Sequence, residues 1–338
     1  RCRCRTSGIG VKAYRCRVCS APLYFENSVC VSCGSALGYS RKEREIVPVD
    51  KTGVYVDADG WIWHVCRNLN FSGCTWLAPL EGGQCSSCDL TRTRPRDTDT
   101  AGVAALPLAE RAKRHLLAEL DVLGFATIGK NEDPVNGLAF DLLSSTAAQV
   151  MIAHNFGVIT IDLAEGNDAH RERIRAQLDE PYRTVLGHFR HEVGHYFQWH
   201  LVESDPEVLE RCRALFGDES ADYQSAVSRH YAEGPPPGWK SSYISSYATM
   251  HPYEDFAETW AHYLHICDTI ETAVSYSLLS PTEPIGRERF RDLLTTVWKP
   301  LSIALNLVNR SMGKDDLYPF ALPAAVLDKL DFVASLRP

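Results

Sequence analysis

The chain has 338 residues, of which 45% are hydrophobic and 23% charged, and its formal net charge is −8 at neutral pH. That length suits about two domains, each able to bury a core of its own. No apolar run reaches the roughly 18–20 residues of a membrane helix, and no secretory core follows the basic start RCRCR, so a soluble, cytoplasmic protein with no membrane contact is expected.

Ten of the twelve cysteines fall within the first 88 residues. Nothing signals export, so paired cysteines point to zinc rather than disulfides. The stretch YRCRVCSAPLYFENSVCVSCG (14–34) sets Cys16, Cys19, Cys30 and Cys33 in two Cys-x-x-Cys knuckles, with Gly34 after the last. Four thiolates on two such turns give zinc a closed tetrahedral site and hold together a piece too small for a core. Cys66, Cys74, Cys85 and Cys88 repeat the idea with an irregular first half, and Trp61, Trp63 and Trp76 are expected to cluster around them. Cys2 and Cys4 lie outside both quartets. A tandem Cys4 zinc-ribbon region over 11–92 follows, with two structural zinc ions.

The polar stretch after Cys88, which contains Pro95, reads as a linker over 93–106. Beyond it, Leu108, Ala112, Leu116, Leu120 and Leu123 predict a helix over 107–125. GLAFDLL (137–143) and GVITIDLA (157–164) are β-rich, and the second alternates as a half-buried strand does. DAHRERIRAQL reads as helical. A long amphipathic helix is expected over 182–202, from just after Pro181, and EGPPPGW (233–239) breaks the chain into a loop. Another helix covers 251–270 with Pro252 in its first turn. Further helical stretches lie near 287–309 and 322–335.

HEVGH in the 182–202 helix places His191 and His195 one turn apart on one face, the bite a single zinc needs. Glu192 is rotated about 100° toward the open side, where a carboxylate can take the proton of water attacking a carbonyl. Gly194 allows close packing beneath. No third histidine follows at metzincin spacing, since Gln198 and Leu201 occupy the diagnostic places, and His200 lies on another face. A second helix must supply the ligand. In PYEDFAETWAH, Glu254 and Glu258 share one face, so one can bind metal while the other supports a ligand histidine. The remaining histidines lack ligand spacing.

The pairing of HEVGH with Glu254-Asp-Phe-Ala-Glu258 resembles the gluzincin peptidases of lethal-factor and Pro-Pro endopeptidase type. The wider plan is zinc ribbons followed by EPYRTVLGHFRHEVGHY, LFGDESADY and HPYEDFAETWAHYLHI, and it is similar to a bacterial family of putative zinc-binding metallopeptidases. The resemblance implies that Glu254 binds the catalytic zinc, that Glu258 supports a histidine, and that Tyr247, seven residues before Glu254, stabilises the oxyanion. Position agrees. Glu254 sits in the first turn after Pro252, whereas Glu258 lies a turn deeper among Trp260 and Leu264, where a carboxylate needs a buried partner.

The expected architecture is α+β: a double zinc ribbon, then a mainly helical zincin-like domain with a small sheet over 107–338. The expected activity is zinc-assisted hydrolysis of peptide bonds, with Glu192 as base and then acid. GVITIDL is expected to serve as the edge strand that pairs with an extended peptide. The ribbons would recruit the protein substrate or another protein partner. The alternative is a binding or scaffold protein whose ribbons grip protein or nucleic acid, with a zincin-like domain of little turnover. Intact Glu192 and Tyr247 speak against that scaffold, and a non-peptidase zinc hydrolase is a third option. Residues 1–100 carry 14 Lys and Arg against 10 Asp and Glu, an excess of +4 that leaves −12 for the rest. Even with the small cluster of Arg92, Arg94 and Arg96, this is far below the footprint of a dedicated nucleic-acid binder.

Overall fold

The computed structural model describes residues 13–145, 153–166, 184–280 and 290–338. Cys2, Cys4 and the expected helix DAHRERIRAQL lie outside the described residues. Each Cys-x-x-Cys pair of the first ribbon closes a tight turn in which the residue after the second cysteine is left-handed: Ser20 at φ 62° and Gly34 at φ 73°. Glycine adopts this without strain and serine does not. The hairpin of β1 (Leu37–Ser40) and β2 (Glu45–Pro48) follows, then an antiparallel sheet of β3 (Val54–Val56), β4 (Ile62–Val65) and β5 (Leu77–Ala78). A bridge between Tyr39 and Trp76 joins the two ribbons, with the rings 5.1 Å apart.

The tryptophan expectation is corrected here. Trp76 is 1% exposed and belongs to the core, but Trp61 is 66% exposed, and Trp63 turns its indole N–H to Asp57 at 3.0 Å. Both lie on the β3–β4 hairpin.

The second part is a four-stranded sheet packed with helices. Its strands are β6 (Thr91–Thr93), β7 (Ala139–Leu143), β8 (Ala153–Asn155) and β9 (Val158–Asp162), in the order β6-β7-β9-β8. β6, β7 and β9 run parallel, and β8 is antiparallel. The expectation that GVITIDL is an edge is therefore corrected: β9 is hydrogen-bonded on both sides, and the edge beside it is β8.

Helix α1 (Thr100–Leu123) starts earlier than its apolar spacing suggests, because Asp99 caps it by accepting from the Gly102 N–H at 2.9 Å. Pro107 is tolerated two turns in. The stretch 93–106 thus holds the end of a strand and the opening of a helix rather than a structureless linker. The other long helices are α2 (Val185–Phe197), α3 (Pro206–Phe216), α4 (Tyr223–Glu233), α5 (Pro252–Ser275), α6 (Lys299–Ser311) and α7 (Ala324–Ser335). α3 and α4 fall in a stretch to which the sequence reading assigned no element. The expected helix 182–202 opens at Val185, capped by Thr184, and its last turn, Gln198–Val202, is π-helical.

One apolar core runs from the ribbon cysteines through α1 to α5 and α7. Ion pairs seal the junction between ribbon and helical part. Arg114, 1% exposed, donates to Glu26 at 2.9 Å and to the Gly73 carbonyl at 3.3 Å. Arg41 donates to both Asp121 oxygens at 2.7 and 2.6 Å. Both pairs are partly buried, and with the shared apolar core they tie the ribbons to α1. Among the described residues no helix is long and apolar enough to cross a membrane.

Candidate active site

Helix α2 starts where it does because Thr184, in extended backbone, accepts the Gly187 N–H at 2.9 Å. From that start His191 and His195 project from one face, ring centroids 4.9 Å apart. Helix α5 starts at Pro252, with His251 accepting the Tyr253 N–H through its ring nitrogen. Glu254 thus lies in the first turn, where the helix dipole favours a carboxylate. The two helices meet closely at Gly194: a Cβ there would lie 3.0 Å from the Ala257 Cα and 3.1 Å from the Trp260 Cβ.

That approach brings Glu254 Oε2 to 3.0 Å from His191 Nε2 and 3.6 Å from His195 Nε2. Zinc bonds of about 2.0–2.1 Å in a tetrahedron set ligand atoms about 3.4 Å apart, so the three donors fit one ion. Glu258 Oε1 accepts the His191 Nδ1–H at 2.8 Å, which leaves Nε2 as the ring atom that can hold a metal beside Glu254. Ser245 donates to the other Glu258 oxygen at 2.7 Å, and the Tyr223 hydroxyl donates to Glu254 Oε1 at 2.8 Å. The Tyr253 ring stacks on His195 at 4.8 Å.

Glu192 has one oxygen held and one bare. Oε1 lies 3.3 Å from His188 Nε2, while Oε2 is buried with no hydrogen-bond partner. Burial pushes the Glu192 carboxyl up, but His188 outweighs it, helped by His195 and His191, and holds it below the ordinary carboxylate range. Burial likewise opposes ionisation of Glu254, and the two histidines reverse it. Tyr247 stands over His191 with ring centroids 5.8 Å apart, and burial, with Glu254 nearby, raises its phenol far above the ordinary value. Its hydroxyl is therefore held neutral.

In the ribbons the sulfurs of Cys16 and Cys33 lie 3.7 Å apart and those of Cys19 and Cys30 3.6 Å apart. Those of Cys66 and Cys88 lie 3.7 Å apart and those of Cys74 and Cys85 3.5 Å apart. A disulfide would require about 2.05 Å, whereas thiolates on one tetrahedral zinc at about 2.3 Å sit about 3.8 Å apart. Each quartet therefore fits a zinc ion. The first exposes Cys19 and Cys33, and the second is wholly buried.

The eight ribbon cysteines fall in two clusters, and His191, His195, Glu254, Glu258 and Tyr247 come together in the third, with Glu192 on the same helix beside them. Sequence reasoning passed over His188, Tyr223 and Ser245. His188 is four residues before Glu192 on the same helix, a spacing visible in the sequence but overlooked in a search for metal ligands. Tyr223 lies inside LFGDESADY, 31 residues before Glu254, and only the tertiary fold brings them together. His200 is exposed, as its position implied. The basic cluster is partly neutralised: Arg92 donates to Asp141 at 2.9 Å and Arg94 to Asp97 at 2.7 Å.

Comparison with known proteins agrees with this geometry. Residues 104–336 match the family described as putative zinc-binding metallo-peptidase, and residues 13–99 match a zinc-ribbon domain. An uncharacterized protein of Mycobacterium bovis and one each from two strains of Mycobacterium tuberculosis are 50% identical over 331 residues. Those matches cover 96% of this chain and 94% of each relative. No solved structure matches the chain.

Proposed function

Because the chain belongs to the family of putative zinc-binding metallo-peptidases, we propose that it is a zinc-dependent peptidase of gluzincin type that hydrolyses peptide bonds in a protein or peptide substrate. The observation that carries this reading is the convergence of His191, His195 and Glu254 beside a buried carboxylate oxygen, Glu192 Oε2, that has no partner. His191, His195 and Glu254 would hold a zinc ion, which would supply Lewis-acid polarisation of water and of the scissile carbonyl.

The chain's own residues divide the remaining work. Glu192 Oε2 takes the proton from the attacking water and returns it to the leaving amine. Its other oxygen is engaged by His188, so the carboxylate cannot swing away from the cleft. Tyr247, kept neutral by burial, donates to the tetrahedral oxyanion, a contact worth about 3 kcal/mol in other hydrolases. Glu258 and Ser245 hold the His191 ring in orientation. An extended substrate would add to the sheet at the edge strand β8, which packs against α2.

The ribbons form a fixed platform whose knuckles expose Val18 and Val31, at 60% and 91%. Those apolar tips suit contact with a protein better than with nucleic acid. Proteome-wide cleavage profiling of wild type against Glu192→Ala tests the proposal: new N-termini should appear only with the wild type, and identical profiles would refute it.

A further inference from the structure

Helix α4 has only Ala226 buried, and it begins at Tyr223 just after its cap, Asp222. So exposed a helix needs specific anchors to stay on the body. The structure supplies two at its start: the Ala221 carbonyl accepts the His251 Nε2–H at 3.0 Å, and the Tyr223 hydroxyl donates to Glu254 Oε1 at 2.8 Å. The Tyr223 ring also meets His251 edge-on, with centroids 5.2 Å apart. Tyr223 is 44% exposed, yet its hydroxyl reaches a carboxylate that is nearly wholly buried. A tyrosine serving only as a surface residue would turn that hydroxyl to water.

The consequence falls on Glu254. A carboxylate with both oxygens free can rotate about its terminal torsion or offer both to a cation. Here Oε1 is occupied and Oε2 alone faces His191 Nε2 at 3.0 Å. We infer that Tyr223 is a positioning residue that fixes Glu254 for single-oxygen ligation, and that the same bond clasps α4 to the metal-binding end of α5. The inference rests on the proposed role of Glu254 as a ligand. It gives Tyr223 a task distinct from the oxyanion contact proposed for Tyr247, whose ring lies against His191.

Zinc content of the full chain, dialysed against rising concentrations of a competing chelator, tests this without any substrate. Wild type should step from three zinc ions per chain to two as the helical site empties before the ribbons. In Tyr223→Phe that step should come at about 10–100-fold lower chelator, the usual effect of losing a hydrogen bond behind a metal ligand. The two ribbon ions should be unchanged, and the melting temperature of the two-zinc protein should fall only slightly, by the loss of one of the two anchors of α4. A step at the wild-type position overturns the clasp and leaves the peptidase proposal standing, and an equal fall in two-zinc stability assigns Tyr223 to general packing and overturns it too. Glu254→Ala should hold two ions from the outset. If it holds three, or wild type never exceeds two, the ligand assignment fails and the role of Tyr223 fails with it.

Discussion

Glu258 accepts the Nδ1–H of His191 at 2.8 Å, from a position one turn along α5 from Glu254. This bond decides which nitrogen of His191 is free, and so distinguishes two carboxylates that are chemically equivalent. Glu254→Ala is expected to purify without zinc in the helical site, since a ligand is gone. Glu258→Ala should retain it at saturating zinc but bind about 10–100-fold more weakly. Elemental analysis of both variants checks this. Zinc bound normally in Glu254→Ala and lost in Glu258→Ala would reverse the assignment.

Glu192 and His188 form a second pair, 3.3 Å apart, that carries no ligand atom. Glu192→Ala should therefore keep three zinc ions and abolish hydrolysis of any substrate found. His188→Phe should also keep them, with kcat lowered about tenfold or more and KM little changed, because the carboxylate is present but loose. His188→Gln, which can present an N–H where His188 Nε2 stands, should recover part of the loss. Equal kcat in all three His188 forms would remove His188 from the mechanism.

The ribbon quartets differ in access. Cys66, Cys74, Cys85 and Cys88 are all buried, whereas Cys19 and Cys33 are exposed. Cys85→Ser should lose one zinc ion and, because the quartet lies in the common core with Trp76 and Arg114 nearby, lower the melting temperature by many degrees. Cys33→Ser should also lose one ion with a smaller fall. Equal thermal effects of the two substitutions would contradict the difference in burial.

Gly194 sets two effects against each other. In a helix interior alanine is favoured over glycine by about 1 kcal/mol. Here the added Cβ would sit 3.0 Å from a backbone atom of Ala257 and 3.1 Å from the Trp260 Cβ, neither of which is the end of a flexible chain. Overpacking of that kind costs about 1–3 kcal/mol and should win. Gly194→Ala is expected to be less stable and, because α2 and α5 each carry ligands, to bind the helical-site zinc more weakly. A thermal melt above wild type would mean that the helices separate freely.

How much of this was legible follows from distance along the chain. His191 with His195 and Glu254 with Glu258 are i, i+4 pairs on single helices, so the helical period alone set each pair on one face. The cysteine knuckles are equally local. Sheet order is not, because β8 pairs antiparallel onto the outer side of β9 and turns the expected edge into an interior strand. The docking of ribbon onto helix depends on Arg41 finding Asp121 and Arg114 finding Glu26, pairs about 80 residues or more apart in the chain. No spacing rule anticipates such contacts. Helix α3 does carry a legible stripe, Val208, Leu209, Cys212 and Phe216, that the sequence reading passed over, whereas α4 buries only Ala226 and offers little to read.

Deep in α5, His265 and His262 are held neutral by their neighbours. His265 Nδ1 accepts from Arg190 at 3.1 Å, and burial, with the Arg190 charge, brings its pKa down to about 3. His262 Nδ1 lies 2.9 Å from the Tyr318 hydroxyl, and burial brings it down to about 4 even though Glu258 pulls the other way. In the unfolded chain both titrate near 6.5. Between those limits the unfolded state binds more protons than the folded state, so stability rises with pH and is lost as pH falls from about 6.5 toward 4. Zinc release in acid acts in the same direction, and a variant is needed to separate the two. His265→Asn keeps an acceptor for Arg190 but cannot titrate, so its melting temperature should fall less steeply than wild type over pH 6.5 to 4 at fixed excess zinc. Parallel curves would show that His265 is not among the groups that drive acid unfolding.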